Sequence, residues 1–179
     1  MNALLFAIWF FWPAAIANVM PVFANKIPVL NRWTTPMDFG KSWRGKRILG
    51  NNKTWRGFVT GVAAASLVAG TQYFVLHPSA FALDLNGLGA NMAVGALIGL
   101  GALTGDAVES FLKRQKGIPS GQTWFPFDQI DYIVGGILFV YPVFHLSMKA
   151  IGTIFVFFFV LHLVFTYIGY LLGLRDQPI

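Results

Sequence analysis

The chain has 179 residues, a length that fits one domain, with 56% hydrophobic and 11% charged residues. Soluble domains carry about 45–50% and about 25%, so a water-soluble globule is excluded and an integral membrane protein is expected. The net charge of +6 would suit nucleic acid, but the cations cluster in loops between apolar runs, where anionic head groups or phosphate substrates account for them and nucleic acid does not.

Taken in order, the apolar runs predict an all-α protein with five transmembrane helices in a single domain, residues 1–179. The first span covers residues 3–24, with Pro13 and Pro21 as expected kinks. Ala15-Ile16-Ala17 resembles a signal cleavage site, but no basic residue precedes the run, so a spanning helix is the preferred reading. Residues 25–57 form a strongly basic loop: Lys26, Arg32, Lys41, Arg44, Lys46, Arg47, Lys53 and Arg56 stand against Asp38 alone, and the Gly and Asn content predicts turns. Spans follow at 58–76, 90–112, 127–148 and 150–172. A second basic loop, residues 113–126, carries Lys113, Arg114 and Lys116, and the tail carries Arg175. His77 opens the weakly charged loop on the other side, where Lys149 is the sole cation. This bias places the amino terminus outside, and both basic loops and the carboxyl terminus in the cytoplasm. Gly95 and Gly99, and Gly101 and Gly105, are spaced four apart and suit close helix approach. Cysteine is absent, which removes disulfides, thiolate metal sites and cysteine nucleophiles.

Four of the seven acidic residues flank the second basic loop. Asp106 and Glu109 lie near the end of the third span, and Asp128 and Asp131 open the fourth. An intramembrane carboxylate costs roughly 3 kcal/mol and needs a partner or a polar cavity. The topology sets all four at one depth, near the cytoplasmic face. Spacings of three and four put Asp106, Glu109, Ser110 and Lys113 on one helical face. Oxygen ligands without sulfur favour a hard ion, Mg²⁺ before Mn²⁺ or Ca²⁺, and Mg²⁺ commonly bridges carboxylates to substrate phosphates. Asp106, Glu109, Asp128 and Asp131 are therefore the expected ligands of one or two Mg²⁺ ions, with Lys53, Arg56, Lys113 and Arg114 nearby to hold phosphates. An interhelical ion-pair cluster is the competing explanation. His162, mid-span in the fifth helix, reads as a packed or hydrogen-bonded side chain, and His77 and His145 fall away from the cluster.

At these residues the sequence resembles the CDP-diacylglycerol synthase superfamily, membrane cytidylyltransferases that charge a lipid phosphate from CTP. The elements are Lys53-Thr54-Trp55-Arg56-Gly57, then Gly105-Asp106, Glu109-Ser110, Lys113-Arg114, Gly117-Ile118 and Ser120-Gly121, and finally Asp128-Gln129-Ile130-Asp131. Arg56 stands where bacterial and eukaryotic members have an acidic residue, Gln129 where they have arginine, and a lysine-aspartate pair is replaced near Pro119. These departures resemble the compact archaeal branch, CDP-archaeol synthase, which carries KTWRG and DQ-x-D. The resemblance implies Mg²⁺-dependent transfer of a cytidylyl group from CTP to an isoprenoid ether lipid phosphate, releasing pyrophosphate. It implies catalytic roles for Lys53, Asp106, Asp128 and Asp131. Substrate binding would fall to Asn52, Thr54, Arg56, Ser110, Lys113 and Arg114, with the loop over 31–52 able to close on the site. The bilayer, CTP and the lipid phosphate are the implied partners.

Three alternatives remain open at this level. A CDP-diacylglycerol synthase acting on phosphatidic acid would show the same motifs. A cation transporter would bury carboxylates, but would not need so basic a loop beside them. A CDP-alcohol phosphotransferase would carry DG-x-x-AR, which is missing here. The topology is open to labelling, since any introduced cysteine is the sole one. Ser42→Cys and Ser120→Cys should react only after the inner face is exposed, and Ser79→Cys from outside. Labelling of Ser42→Cys in intact cells would overturn the orientation.

Overall fold

The computed structural model describes residues 3–76 and 87–173. His77, Ser79 and Arg175 lie outside the described residues. Six helices are present among those described: α1 (Ala3–Lys26), α2 (Pro28–Asn31), α3 (Trp55–Leu76), α4 (Leu88–Lys116), α5 (Phe127–Val140) and α6 (Met148–Leu171). The loop between α2 and α3 holds a small antiparallel hairpin, β1 (Ser42–Trp43) and β2 (Lys46–Arg47), with Ser42 opposite Arg47 and Trp43 opposite Lys46.

Among the described residues, four helices are long and apolar enough to cross a membrane: α1, α3, α4 and α6. The expected fourth span, 127–148, is shorter than that. Helix α5 has 14 residues, about 21 Å at ~1.5 Å per residue, against a hydrocarbon core of about 30 Å. Pro142 lacks the N–H that would bond the Leu138 carbonyl, and α5 ends just before it, at Val140. The chain turns at Val140, whose carbonyl takes the N–H groups of Val143 and Phe144. It restarts at Ser147, whose hydroxyl caps α6 by accepting from the Ala150 N–H at 3.2 Å. Helix α4 departs the other way. Its 29 residues span about 43 Å, so its last turns, with Lys113, Arg114 and Lys116, extend past an average hydrocarbon thickness. It ends at Gly117, left-handed at φ 78°, where the N–H groups of Gly117 and Ile118 return to the carbonyls of Arg114 and Lys113.

Helix α4 is the centre of the bundle, in contact with α1, α3 and α5. Its two glycine pairs serve different neighbours. Gly95 and Gly99 face Ala65 and Ala69 of α3, while Gly101 and Gly105 face Gly135 and the Asp131 carbonyl of α5. A Cβ on Gly105 would collide with the Asp131 carbonyl oxygen, and one on Gly101 with that of Gly135. The remaining core joins α1, α4, α5 and α6: Phe11, Ile98, Ile133 and Phe158 are buried together, and the Tyr132 hydroxyl donates to the Phe158 carbonyl at 2.9 Å. The His162 ring lies beside Tyr132, tilted against it, with ring centroids 5.7 Å apart.

Helix α1 runs unbroken through Pro13 and Pro21. Each proline frees the carbonyl four residues earlier, and both freed groups face α3. Gln72 Nε2 donates to the Trp9 oxygen at 2.8 Å. The Ala17 oxygen lies 2.8 Å from where a Cβ on Gly61 would stand, so only glycine permits that approach.

The α4–α5 contact yields a direct test. Gly105→Ala must push the helices apart and should cost at least about 1–3 kcal/mol by overpacking. Gly152→Ala, in α6 with nothing within 4 Å, should be neutral or slightly stabilising. Thermal unfolding of both variants in one detergent measures the difference, and equal midpoints would overturn the packing role.

Candidate active site

The polar residues gather where the C-terminal ends of α1 and α4 meet the N-terminal ends of α3 and α5. Thr54 caps α3, its hydroxyl accepting the Gly57 N–H at 3.2 Å. Just before it, residues 35–37 run alongside residues 53–55. The Met37 N–H bonds the Lys53 carbonyl at 2.8 Å, and the Trp55 N–H bonds the Thr35 carbonyl at 3.0 Å. This pairing aims Lys53 at α4, where its Nζ meets Asp106 Oδ2 at 2.5 Å.

Across the glycine contact, one carboxylate oxygen each from Asp106, Glu109 and Asp131 lie within 4.8 Å of one another. The fourth expected carboxylate, Asp128, lies against Glu109. Asp128 sits in the first turn of α5, where one oxygen accepts the Trp124 N–H at 2.9 Å and the other meets Lys113 Nζ at 2.7 Å. Lys113 also lies 3.4 Å from Glu109 Oε1, so it joins Asp128 to the group of three. Ser110 and Lys113 are buried on the same α4 face.

These residues suit a divalent ion on two counts. Two lysines pair with three of the four carboxylates, Asp131 having no lysine contact, which leaves the fully ionised cluster two negative charges in excess. Glu109 Oε1 is buried and takes no hydrogen bond, its approach to Lys113 being an ion pair without hydrogen-bond alignment. A buried anionic oxygen left in that state is costly, and a hard cation among oxygen ligands would satisfy it.

The basic loop is folded around one carboxylate. Asp38, buried, accepts the N–H groups of Gly40, Leu49 and Gly50 and a two-point contact from Arg47, the shorter arm at 2.7 Å. Burial alone would push the Asp38 carboxyl up, but the Arg47 guanidinium and the three backbone donors outweigh it and hold it well below the usual carboxylate range. Two contacts then tie the loop to the other side of the site. Lys46 Nζ donates to the Gln115 carbonyl at 2.6 Å, and Asn52 Nδ2 donates to Ser120 Oγ at 3.0 Å.

Two expected phosphate-binding residues are otherwise engaged. Arg56 is buried, and its guanidinium donates to the carbonyls of Leu30 and Asn31 and to Asn25 Oδ1. It braces the α1–α2 turn and stands outside the carboxylate cluster. Arg114 donates to the Pro119 carbonyl at 3.0 Å, closing its own loop at the rim of the site. Sequence reasoning passed over Asp38 and Asn18. Asp38 was visible as the single acid of a basic loop, and Asn18 as a lone amide deep in an apolar run.

A cavity of about 190 Å³ adjoins Asp106, lined by the polar Lys53, Asn52 and Thr54 and by the apolar Pro21, Val22, Phe58 and Leu103.

The depressed Asp38 value carries a pH signature. Its stabilisation is complete above an unfolded pKa of about 3.9 and fades as pH falls through that value toward the lower folded one. Asp38→Asn should therefore loosen the loop by about 1.5–3 kcal/mol near pH 7, with the deficit shrinking below about pH 4. Limited proteolysis of residues 39–50 across pH reads this out, and a deficit independent of pH would overturn it.

Known proteins resemble this chain. A family model described as CarS-like, CDP-archaeol synthase, matches residues 1–179. A CDP-archaeol synthase of Pyrococcus horikoshii is 40% identical over 144 residues, covering 80% of this chain and 78% of that protein. One from Thermococcus gammatolerans is 34% identical over 179 residues, covering 99% and 98%. A solved structure described as an intramembrane enzyme for archaeal membrane lipids biosynthesis superposes with a TM-score of 0.74 at 28% identity, covering 88% of this chain and 90% of that one.

Proposed function

The chain belongs to the CDP-archaeol synthase family, and from that premise we propose how its residues divide the work. It is a multi-pass membrane enzyme, a CTP-dependent lipid cytidylyltransferase that transfers the cytidylyl group to an archaeal lipid phosphate. The acceptor in this reading is the unsaturated isoprenoid ether lipid phosphate. One of its phosphate oxygens attacks the α-phosphorus of CTP in line. A new P–O bond forms as the α–β anhydride bond breaks, and the electron pair leaves with pyrophosphate. A phosphate monoester is already ionised near neutral pH, so no strong general base and no covalent enzyme intermediate are required.

The observation that carries the reading is the carboxylate group of Asp106, Glu109 and Asp131, with Asp128 joined through Lys113, beside Lys53. These carboxylates would hold Mg²⁺, which when bound offsets the charge that develops on the transferring phosphates. Lys53 and Lys113 each present three ammonium donors and spend only one or two on carboxylates. The remaining donors are available to phosphate oxygens, where their attraction strengthens as charge builds. Asn52 and Thr54 set the Lys53 backbone, Ser110 shares the Lys113 face, and Arg114 supplies a cation at the rim. The site would face the cytoplasm, with the amino terminus outside, because the basic loops flank it.

Asp106→Asn and Asp131→Asn keep side-chain volume and remove charge. Each should lower turnover by at least about 10²–10³, the scale of losing one preorganised electrostatic group, while the protein stays monodisperse in detergent. Conversion of CTP and lipid phosphate to CDP-lipid at limiting Mg²⁺ is the measurement. Near-normal turnover in either variant would remove that residue from the metal role.

A further inference from the structure

The cavity beside Asp106 is lined by two chemically different sets of residues. Asn52, Lys53, Thr54 and Asp106 supply its polar lining, and Pro21, Val22, Met37, Phe58 and Leu103 its apolar lining. Asn18 of α1 also lines it. This side chain lies well inside a membrane-spanning helix, only half-buried, and makes no hydrogen bond among the described residues. A polar side chain at that depth is costly unless it faces a polar cavity or a ligand. Asn18, Pro21 and Val22 are spaced three and four apart, so one face of α1 presents the amide and the apolar wall together. Val22 is 61% exposed, which leaves the cavity open sideways toward lipid.

Size and lining separate the two substrates. The cavity volume of about 190 Å³ falls below the roughly 300–1,000 Å³ of sites that enclose drug-sized ligands. The cavity would not enclose a whole nucleoside triphosphate, whose charge would gain nothing from Val22, Phe58 or Leu103. A glycerol phosphate head would fit, with its phosphate toward Lys53 and its chains passing Val22 into the bilayer. Ether and phosphate oxygens only accept hydrogen bonds, and the Asn18 amide nitrogen can donate to them.

Resting on the cytidylyltransferase reading above, we propose that this cavity is the acceptor-lipid subsite and that Asn18 is its specificity-determining donor, bonding the glycerol oxygens of the lipid phosphate. The nucleotide then approaches Asp106 from the side of Lys113 and Asp128. The apolar wall and lateral opening let the acceptor enter without leaving the membrane.

Two measurements on the full-length protein in mixed micelles test this. Asn18→Leu keeps α1 apolar and should raise KM for the geranylgeranyl diether glycerol phosphate roughly tenfold, the scale of one lost hydrogen bond. KM for CTP should stay within about twofold, and Asn18→Gln should recover part of the loss. In the second, Val22→Cys supplies the sole thiol, and its maleimide labelling should be slowed by the lipid phosphate but not by CTP. An unchanged lipid KM in Asn18→Leu, or protection of Val22→Cys by CTP instead of lipid, would overturn the assignment. Absence of CDP-lipid product from the unsubstituted protein would instead sink the enzymatic reading, and the labelling experiment would still report whether the cavity takes the lipid.

Discussion

The close contact of α4 with α5 is the constraint on which the site depends. Gly101 and Gly105 meet Gly135 and the Asp131 carbonyl with no room for a side chain, and that backbone approach brings Asp131 beside Asp106 and Glu109. In a bilayer, helices gain little from hiding apolar surface from lipid, so small residues and tight packing drive their association. The packing must also offset the repulsion between carboxylates that it creates. Lys53 and Lys113 relieve part of this, one from the loop before α3 and one from α4 itself. A divalent ion would balance the rest.

The second half of the site is a loop that carries many cations and one anion. Left to itself, such a segment would repel and stay extended. Asp38 reverses this by gathering three backbone N–H groups and Arg47 around a buried carboxylate. The hairpin that results rests on the far side of the site through Lys46 and Gln115, and through Asn52 and Ser120. Arg56 anchors the other end to the α1–α2 turn. Much of the positive charge therefore does structural work, with Lys46, Arg47 and Arg56 all engaged by protein partners.

The helix lengths suit a reaction between a water-soluble nucleotide and a lipid. Helix α4 is long enough to carry its basic end beyond the hydrocarbon, while α5 is short and begins beside the same end. The carboxylates thus sit where polar and apolar surroundings meet. The prolines of α1 contribute to the same end. Pro21 frees the Ala17 carbonyl, which lets α3 approach through Gly61, and Pro21 itself lines the cavity beside Asn18 and Val22.

Much of this was legible in the chain, because membrane crossing is a local property. A run of apolar residues, a bias of cations to one set of loops, and carboxylates three apart at the ends of two runs can be read without tertiary contacts. The motif from Lys53 to Asp131 pointed to the family for the same reason, since order and spacing survive in one dimension. Other features required the folded molecule. Glycines four apart do not say which neighbour they meet, and only the packing assigned Gly95 and Gly99 to α3 and Gly101 and Gly105 to α5. The motif suggested one role for four carboxylates and four cations. The structure ties Asp128 to Lys113 and the Trp124 N–H and turns Arg56 toward backbone carbonyls, because partner choice depends on which groups lie within hydrogen-bond reach. Hydropathy read 127–148 as one span, whereas α5 ends at Val140, two residues before Pro142. Asn18 gained a role only when α1, α3 and α4 closed a cavity around it, since a lone amide in an apolar run has no direction until neighbouring helices supply one.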